Sequence, residues 1–130
     1  MSSEVEVVET ADNSTPEAGR ERALLVADII SDTPAQDTVV LDIHELSPFA
    51  DYFVITAGAN ERQLRAITRT VSEKMHEAGI RPTRTEGGAM SGWIVLDFGD
   101  VLVHIFSEEQ REFYRLEDLW AEAPTLLAIQ

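Results

Sequence analysis

Asp97 and His104 are the two side chains of this sequence best placed to trade a proton. They stand in the stretch WIVLDFGDVLVHIF, residues 93–106. Gly99-Asp100 lies between two β-rich runs and reads as a two-residue hairpin turn. That register sets Phe98 opposite Val101, Leu96 opposite Val103 and Ile94 opposite Ile105. Side chains alternate between faces along a strand. One face then carries Ile94, Leu96, Phe98, Val101, Val103 and Ile105, all apolar, and is core. The other carries Trp93, Val95, Asp97, Leu102, His104 and Phe106. On it Asp97 and His104 are diagonal neighbours, ~7–8 Å apart at the backbone and within side-chain reach. An acid–base pair is one reading. Catalysis also needs a nucleophile or an oxyanion site beside the pair, and the sequence places neither there. A hydrogen bond that shapes or binds is the better expectation.

A metal site is a second chemistry to weigh. Asp42, Asp51 and Asp97 fall at strand ends, and carboxylates converging from neighbouring strands hold the metals of nucleotidyl-transferring enzymes. Such an enzyme is the alternative function. Against it, the place two residues beyond Asp42 is His44 rather than a second acid, and no Gly-Ser phosphate turn precedes it. Asp51 reads better as a cap or loop anchor. Asp97-Phe98-Gly99 spells the magnesium motif of protein kinases, but the chain has no glycine-rich loop, strand lysine or catalytic loop to go with it. His44, His76 and His104 lack zinc-ligand spacing, and with no cysteine there is no thiolate site or disulfide. No catalytic, metal-binding or cofactor-binding residue is therefore assigned, and no cofactor is expected.

Two further constellations suit binding. Arg62, Arg65 and Arg69 line one face of a helix at i, i+3 and i+7; they fit either RNA phosphate or a solvated face with local ion pairs. Trp93, Phe106, Phe113, Tyr114 and Trp120 crowd the last third of the chain. Trp120, one turn after Leu116, is the first candidate for core. Trp93 and Phe106, beside charged groups on the mixed hairpin face, have the composition of a protein–protein hot spot, unless a neighbouring helix covers them.

The elements that position these residues follow from periodicity. Thr15-Pro16-Glu17 starts a helix over residues 15–32, whose Ala23, Val26, Ala27 and Ile30 share a side. Strands are expected over 38–43 and 51–56. Asn60 caps a second helix, with Gln63 placed as in a capping box. Its core stripe is Leu64, Ile67, Val71, Met75 and Ala78, and Gly79 ends it. Residues 82–85 read as a short edge strand and 86–92 as a flexible loop. The hairpin follows, then a short helical segment over 110–121. Interleaved helices and hairpins give an α/β (α+β) two-layer sandwich. Its mixed sheet has about five strands, with helices on one face and the other face partly open. Residues 1–14 carry four acids and no base and read as a disordered acidic tail before a domain over 15–130.

Composition narrows the partner. The chain has 130 residues, 24 acidic against 10 basic, for a net charge of −14. That field disfavours nonspecific nucleic-acid binding, DNA included, and favours a basic protein or solubility alone. No apolar run approaches a membrane span, and the first residues lack a signal-peptide pattern. The expected location is cytoplasmic.

The stretches DYFVITAGANERQLRAI, EGGAMSGWIVLDFGDVLVHIF and REFYRLEDLW closely resemble the ribosomal silencing factor family, also called Iojap-like. The resemblance covers residues from about 20 to 121, and its closing Arg-x-x-Tyr-x-Leu-Glu-x-Leu-Trp motif is specific. Ala59-Asn60 departs where a serine is common, and the acidic tail has no family counterpart. The resemblance implies a fold distantly like nucleotidyltransferases without their catalytic motif. It implies a translational repressor, not an enzyme. Such a protein binds the large ribosomal subunit through its protein numbered fourteen and blocks joining of the small subunit when nutrients are short. Organelle relatives act in large-subunit assembly. A homodimer of the free chain stays open. The ribosomal-protein contacts expected are Trp93 as apolar anchor, His104 beside it, Asp97 and Glu117 toward basic groups, and Arg111 and Tyr114, which alternatively brace the hairpin from within.

Overall fold

The computed structural model describes residues 16–130; the tail expected over 1–14 lies outside them. In chain order the elements are α1 (Pro16–Ile30), β1 (Gln36–Asp42), β2 (Tyr52–Gly58), α2 (Glu61–Glu77), β3 (Arg84–Gly88) and β4 (Trp93–Asp97). β5 (Val101–Ser107), α3 (Glu108–Tyr114), α4 (Leu116–Leu119) and β6 (Thr125–Ile129) complete the chain. The strands form one mixed sheet in the order β3-β4-β5-β2-β1-β6. Neighbours are antiparallel except β2 and β5. A parallel pair needs a long crossover, and α2 with the β3–β4 ribbon supplies it.

The β4–β5 register is the one that the alternation rule requires: Ile94 faces Ile105, and Leu96 faces Val103. Gly99 takes the turn at φ 93°, a left-handed conformation open to glycine. Phe98 N–H donates to the Val101 carbonyl at 2.9 Å, closing the turn. The apolar hairpin face meets α1 and α2. Ala23, Val26, Ala27 and Ile30 of α1 and Leu64, Ile67, Val71 and Met75 of α2 pack with Val54, Leu96, Val103 and Ile105. α2 begins as its sequence demands. Asn60 Oδ1 accepts the Gln63 N–H at 2.9 Å, and Gln63 Oε1 accepts the Ala59 N–H at 2.8 Å. Gly79, at φ 85°, ends it. Ala78 faces solvent rather than joining the stripe, because the helix stops before that turn reaches the sheet.

Between β1 and β2 the hydroxyls of Thr38 and Thr56 meet at 2.7 Å inside the sheet. A buried hydroxyl without such a partner is costly, so the pair helps to fix this register.

Besides shifts of one or two residues at the ends of α1, β1 and β2, the architecture departs from expectation in three places. The sheet has six strands rather than about five, because residues 125–129 return along β1, with Val40 beside Leu127. β3 runs through Gly87 and Gly88 rather than ending at 85, so the expected loop is half strand. The closing helical segment breaks at Arg115, which adopts φ 49°. That break turns α4 back across the second sheet face, where Leu116 and Ala123 pack with Leu41, Ile43, Phe53, Ile55 and Phe106.

Candidate docking surface

The second face of the sheet is covered at its middle and open at one side. Phe106 sits at the boundary. Its ring lies 4.9 Å from that of Trp93 and 6.2 Å from that of Tyr114, and it is fully buried. Of the two hairpin aromatics, Phe106 is therefore covered, while Trp93 stays half-buried. Tyr114 lies over Trp93 with ring centroids 4.5 Å apart. Beside them Glu86, Gly87, Ser91 and Val95 complete a groove of ≈ 330 Å³. Exposed Phe113 stands edge-on to Tyr114 at 5.0 Å, and Met90, exposed on the β3–β4 turn, is a second large apolar side chain of this region.

Sequence order makes this groove. Trp93 and Val95 share a face of β4 and are set against β3, where Glu86 faces Val95 and Gly88 faces Trp93. Ser107 then caps α3, its Oγ accepting the Gln110 N–H at 3.1 Å. This directs the helix back over β5, so that Tyr114 reaches Trp93. Gly87 is at φ 81°, and a Cβ there would stand 2.0 Å from the Trp93 carbonyl oxygen. Only glycine lets β3 approach this closely. Gly87, Ser91, Met90 and Phe113 were not among the expected contacts. The Gly87-Gly88 pair in front of an aromatic strand was the available signal.

His104 lies under the groove, not in it. It is 5% exposed. Its Nδ1 accepts the indole Nε1–H of Trp93 at 3.2 Å, so the remaining proton of the neutral ring is on Nε2. Nε2 has no hydrogen-bond partner among the described residues, and the Phe53 ring stands edge-on at 4.6 Å. Burial holds the imidazole pKa down to about 4. The ring is neutral at ordinary pH and sets the orientation of Trp93.

Asp97 shares the face but not the groove. Its Oδ1 accepts the Gly99 N–H at 2.8 Å and so caps its own turn. The acid–base pair with His104 is thus not formed, because each side chain is engaged elsewhere. Arg111 is a brace, but its partner is Glu117, expected to face a partner's basic groups, and not the hairpin. Arg111 Nε and Nη2 donate to Glu117 Oε2 at 2.9 and 2.6 Å. Arg111 also donates to the carbonyl of Asp37, a residue held at φ 53°. The pair ties α3 and α4 to the start of β1.

The three acids weighed as metal ligands do not converge. Strand alternation puts Asp42, beside Val40, on the helix-covered face and Asp97 on the other. Asp42 Oδ1 accepts the His44 backbone N–H at 3.2 Å and bonds His44 Nδ1 at 2.5 Å, and that bond is the main cause raising the His44 pKa. The Asp51 backbone N–H donates to the Asp100 carbonyl at 2.9 Å, anchoring the loop. Burial first, then the nearby Asp100 carboxylate, raises the Asp51 pKa. Among the described residues no group of three acids or histidines is disposed to hold a metal ion.

A groove that sets the β3–β4 ribbon against Tyr114 of the closing motif invites comparison with known proteins. The family model described as "Ribosomal silencing factor during starvation" matches residues 16–130. The chain belongs to the ribosomal silencing factor family. It is 38% identical over 100 residues to "Ribosomal silencing factor RsfS" of Bacillus subtilis, covering 77% of this chain and 85% of that protein. It is 36% identical over 109 residues to the protein of that name from Halalkalibacterium halodurans, covering 84% and 93%. A crystal structure of a Chromobacterium violaceum protein superposes with a TM-score of 0.75 at 29% identity, over 78% of this chain and 85% of that one. A silencing factor is a regulator of translation, and the family names describe no enzyme. Within the described residues no helix of this silencing-factor chain is long and apolar enough to cross a membrane.

Proposed function

We propose that the chain represses translation by docking on the large ribosomal subunit through its protein numbered fourteen, so that the small subunit cannot join. The observation that carries this reading is the groove of Trp93 and Tyr114, an aromatic cleft left open on an otherwise packed face. Aromatic side chains half-buried beside a polar rim are the usual centre of a protein contact. Glu86, paired with Arg84 at 3.1 Å, borders the groove, and the chain as a whole carries a net charge of −14. This charge suits a basic ribosomal protein. Trp93 and Tyr114 supply the contact, whereas Glu117, bound by Arg111, belongs to the brace rather than to the groove. His104 and Arg111 hold these groups in place. Asp97 reaches a partner only at the far end of the face. The mechanism is steric and requires no chemistry from the chain.

Sedimentation with purified subunits tests the proposal. The chain is expected to travel with large subunits and not with small ones. Equal binding to both would sink it.

A further inference from the structure

The acidic charge of the chain is unevenly placed. Residues 62–84 hold six of its ten basic residues and two acids, whereas the other 22 acids lie elsewhere. Within this stretch Arg62, Arg65 and Arg69 are all exposed along the outer face of α2, opposite its buried stripe. They rise in steps of about 4.5 and 6 Å along the helix axis. Among the described residues Arg65 has one ion pair, a long 3.6 Å contact with exposed Glu61. Surface pairs of that kind hold a side chain weakly. Between the arginines runs a second groove, floored by Pro34 and Ala66 and edged by Gln63.

We infer that this arginine face is a docking surface for the phosphate backbone of RNA. Three guanidinium groups on one rigid helix, each able to take a phosphate by two parallel hydrogen bonds, bordering an apolar floor, suit a single strand laid along α2. The local surplus of positive charge opposes the repulsion that the rest of the chain exerts on nucleic acid. α2 covers one face of the sheet and the Trp93 groove lies on the other, so RNA on the stripe leaves that groove free. The inference rests on the ribosome reading only for the source of the RNA. The binding itself is testable without ribosomes.

The probe is a 20-nucleotide single-stranded oligouridylate, titrated against the full chain at several salt concentrations. The comparison is the triple variant Arg62→Gln, Arg65→Gln, Arg69→Gln, with thermal midpoints measured for both. Each phosphate contact to a single strand contributes a slope of about −0.7 to log K against log salt. The wild type is expected to bind with a slope near −2. The variant, with an unchanged midpoint, should lose at least about tenfold in affinity and most of the slope. No binding by the wild type at low salt overturns the inference. So does a triple variant that binds as tightly as the wild type, or more tightly. Trp93→Ala should leave this titration unchanged while weakening large-subunit binding, so the two proposals fail separately.

Discussion

The Trp93 indole donates its Nε1–H to His104 Nδ1 at 3.2 Å, so a ring of the open groove is oriented by a side chain that solvent scarcely reaches. Val95 faces His104 across the hairpin, and the indole folds diagonally from its own strand onto the next. The contact serves only while His104 is neutral, because a protonated imidazole has no acceptor left.

Stability should therefore fall as pH drops through the acid side of neutrality. The folded-state pKa of His104, about 4, lies below its ordinary 6.5. Between those values the unfolded chain takes up the proton and the folded chain does not. The contribution is complete above about pH 6.5 and is lost on acidification at ~1.4 kcal/mol per pH unit, levelling below about pH 4. His44, with its pKa raised by Asp42, works in the opposite sense, favouring the fold at low pH, but it is exposed and weak. Urea unfolding at pH 7, 6 and 5 should show a loss of ~1–2 kcal/mol in the wild type and much less in His104→Gln. Parallel curves for the two proteins would show that the buried ring accepts a proton without cost.

Gly87→Ala should open the β3–β4 ribbon. The added Cβ would meet the Trp93 carbonyl oxygen at 2.0 Å, and the left-handed conformation alone costs roughly 1–2 kcal/mol for an L-residue. Faster amide exchange over residues 84–97 and weaker large-subunit binding are expected, with α1 and α2 still protected. Unchanged exchange would mean that the ribbon tolerates the shift.

Much of this was legible from the sequence because one face of each strand had to be apolar. The β4–β5 register followed from six apolar side chains that tolerate no slip, and α2 from its cap and stripe. β6 was not, since TLLAI is short, mostly at the surface, and gains its place only by pairing with β1. The site divided in the same way. Trp93 was named because an aromatic beside charges is conspicuous, and Tyr114 because it stands in the closing motif. The burial of His104 could not be read from its strand, because α4 covers that face only after the left-handed turn at Arg115, and nothing in the residue type forecasts such a turn.

Arg111→Ala should loosen that closing segment. The guanidinium is largely buried and serves Glu117 together with the Asp37 carbonyl. Its loss strands both acceptors, for ~1–3 kcal/mol. Glu117→Gln, which keeps a hydrogen-bond acceptor, should cost less. The double variant should fall short of the sum, because the residues share one contact. Additive denaturation midpoints would show that the brace is not coupled.

Trp93→Ala and Phe98→Ala separate folding from docking. Phe98 is buried in the core between sheet and helices, and its truncation should cost ~3–5 kcal/mol of stability. Trp93 is half-buried against Phe106 and Tyr114. Its removal also deprives His104 of a donor, so some stability is lost, ~1–2 kcal/mol. The larger effect should appear in binding. Truncating a central aromatic anchor commonly costs ~2–4 kcal/mol, about 30- to 1000-fold in the dissociation constant. Trp93→Phe supplies the control: it retains ring area over Phe106 but cannot donate to His104. If the indole is an anchor, the phenylalanine variant should bind large subunits at an intermediate affinity while losing about as much stability as Trp93→Ala, since both lack the donor to His104. Should Trp93→Ala stay folded and bind large subunits normally, the groove is not the docking site, and the partner must meet another face.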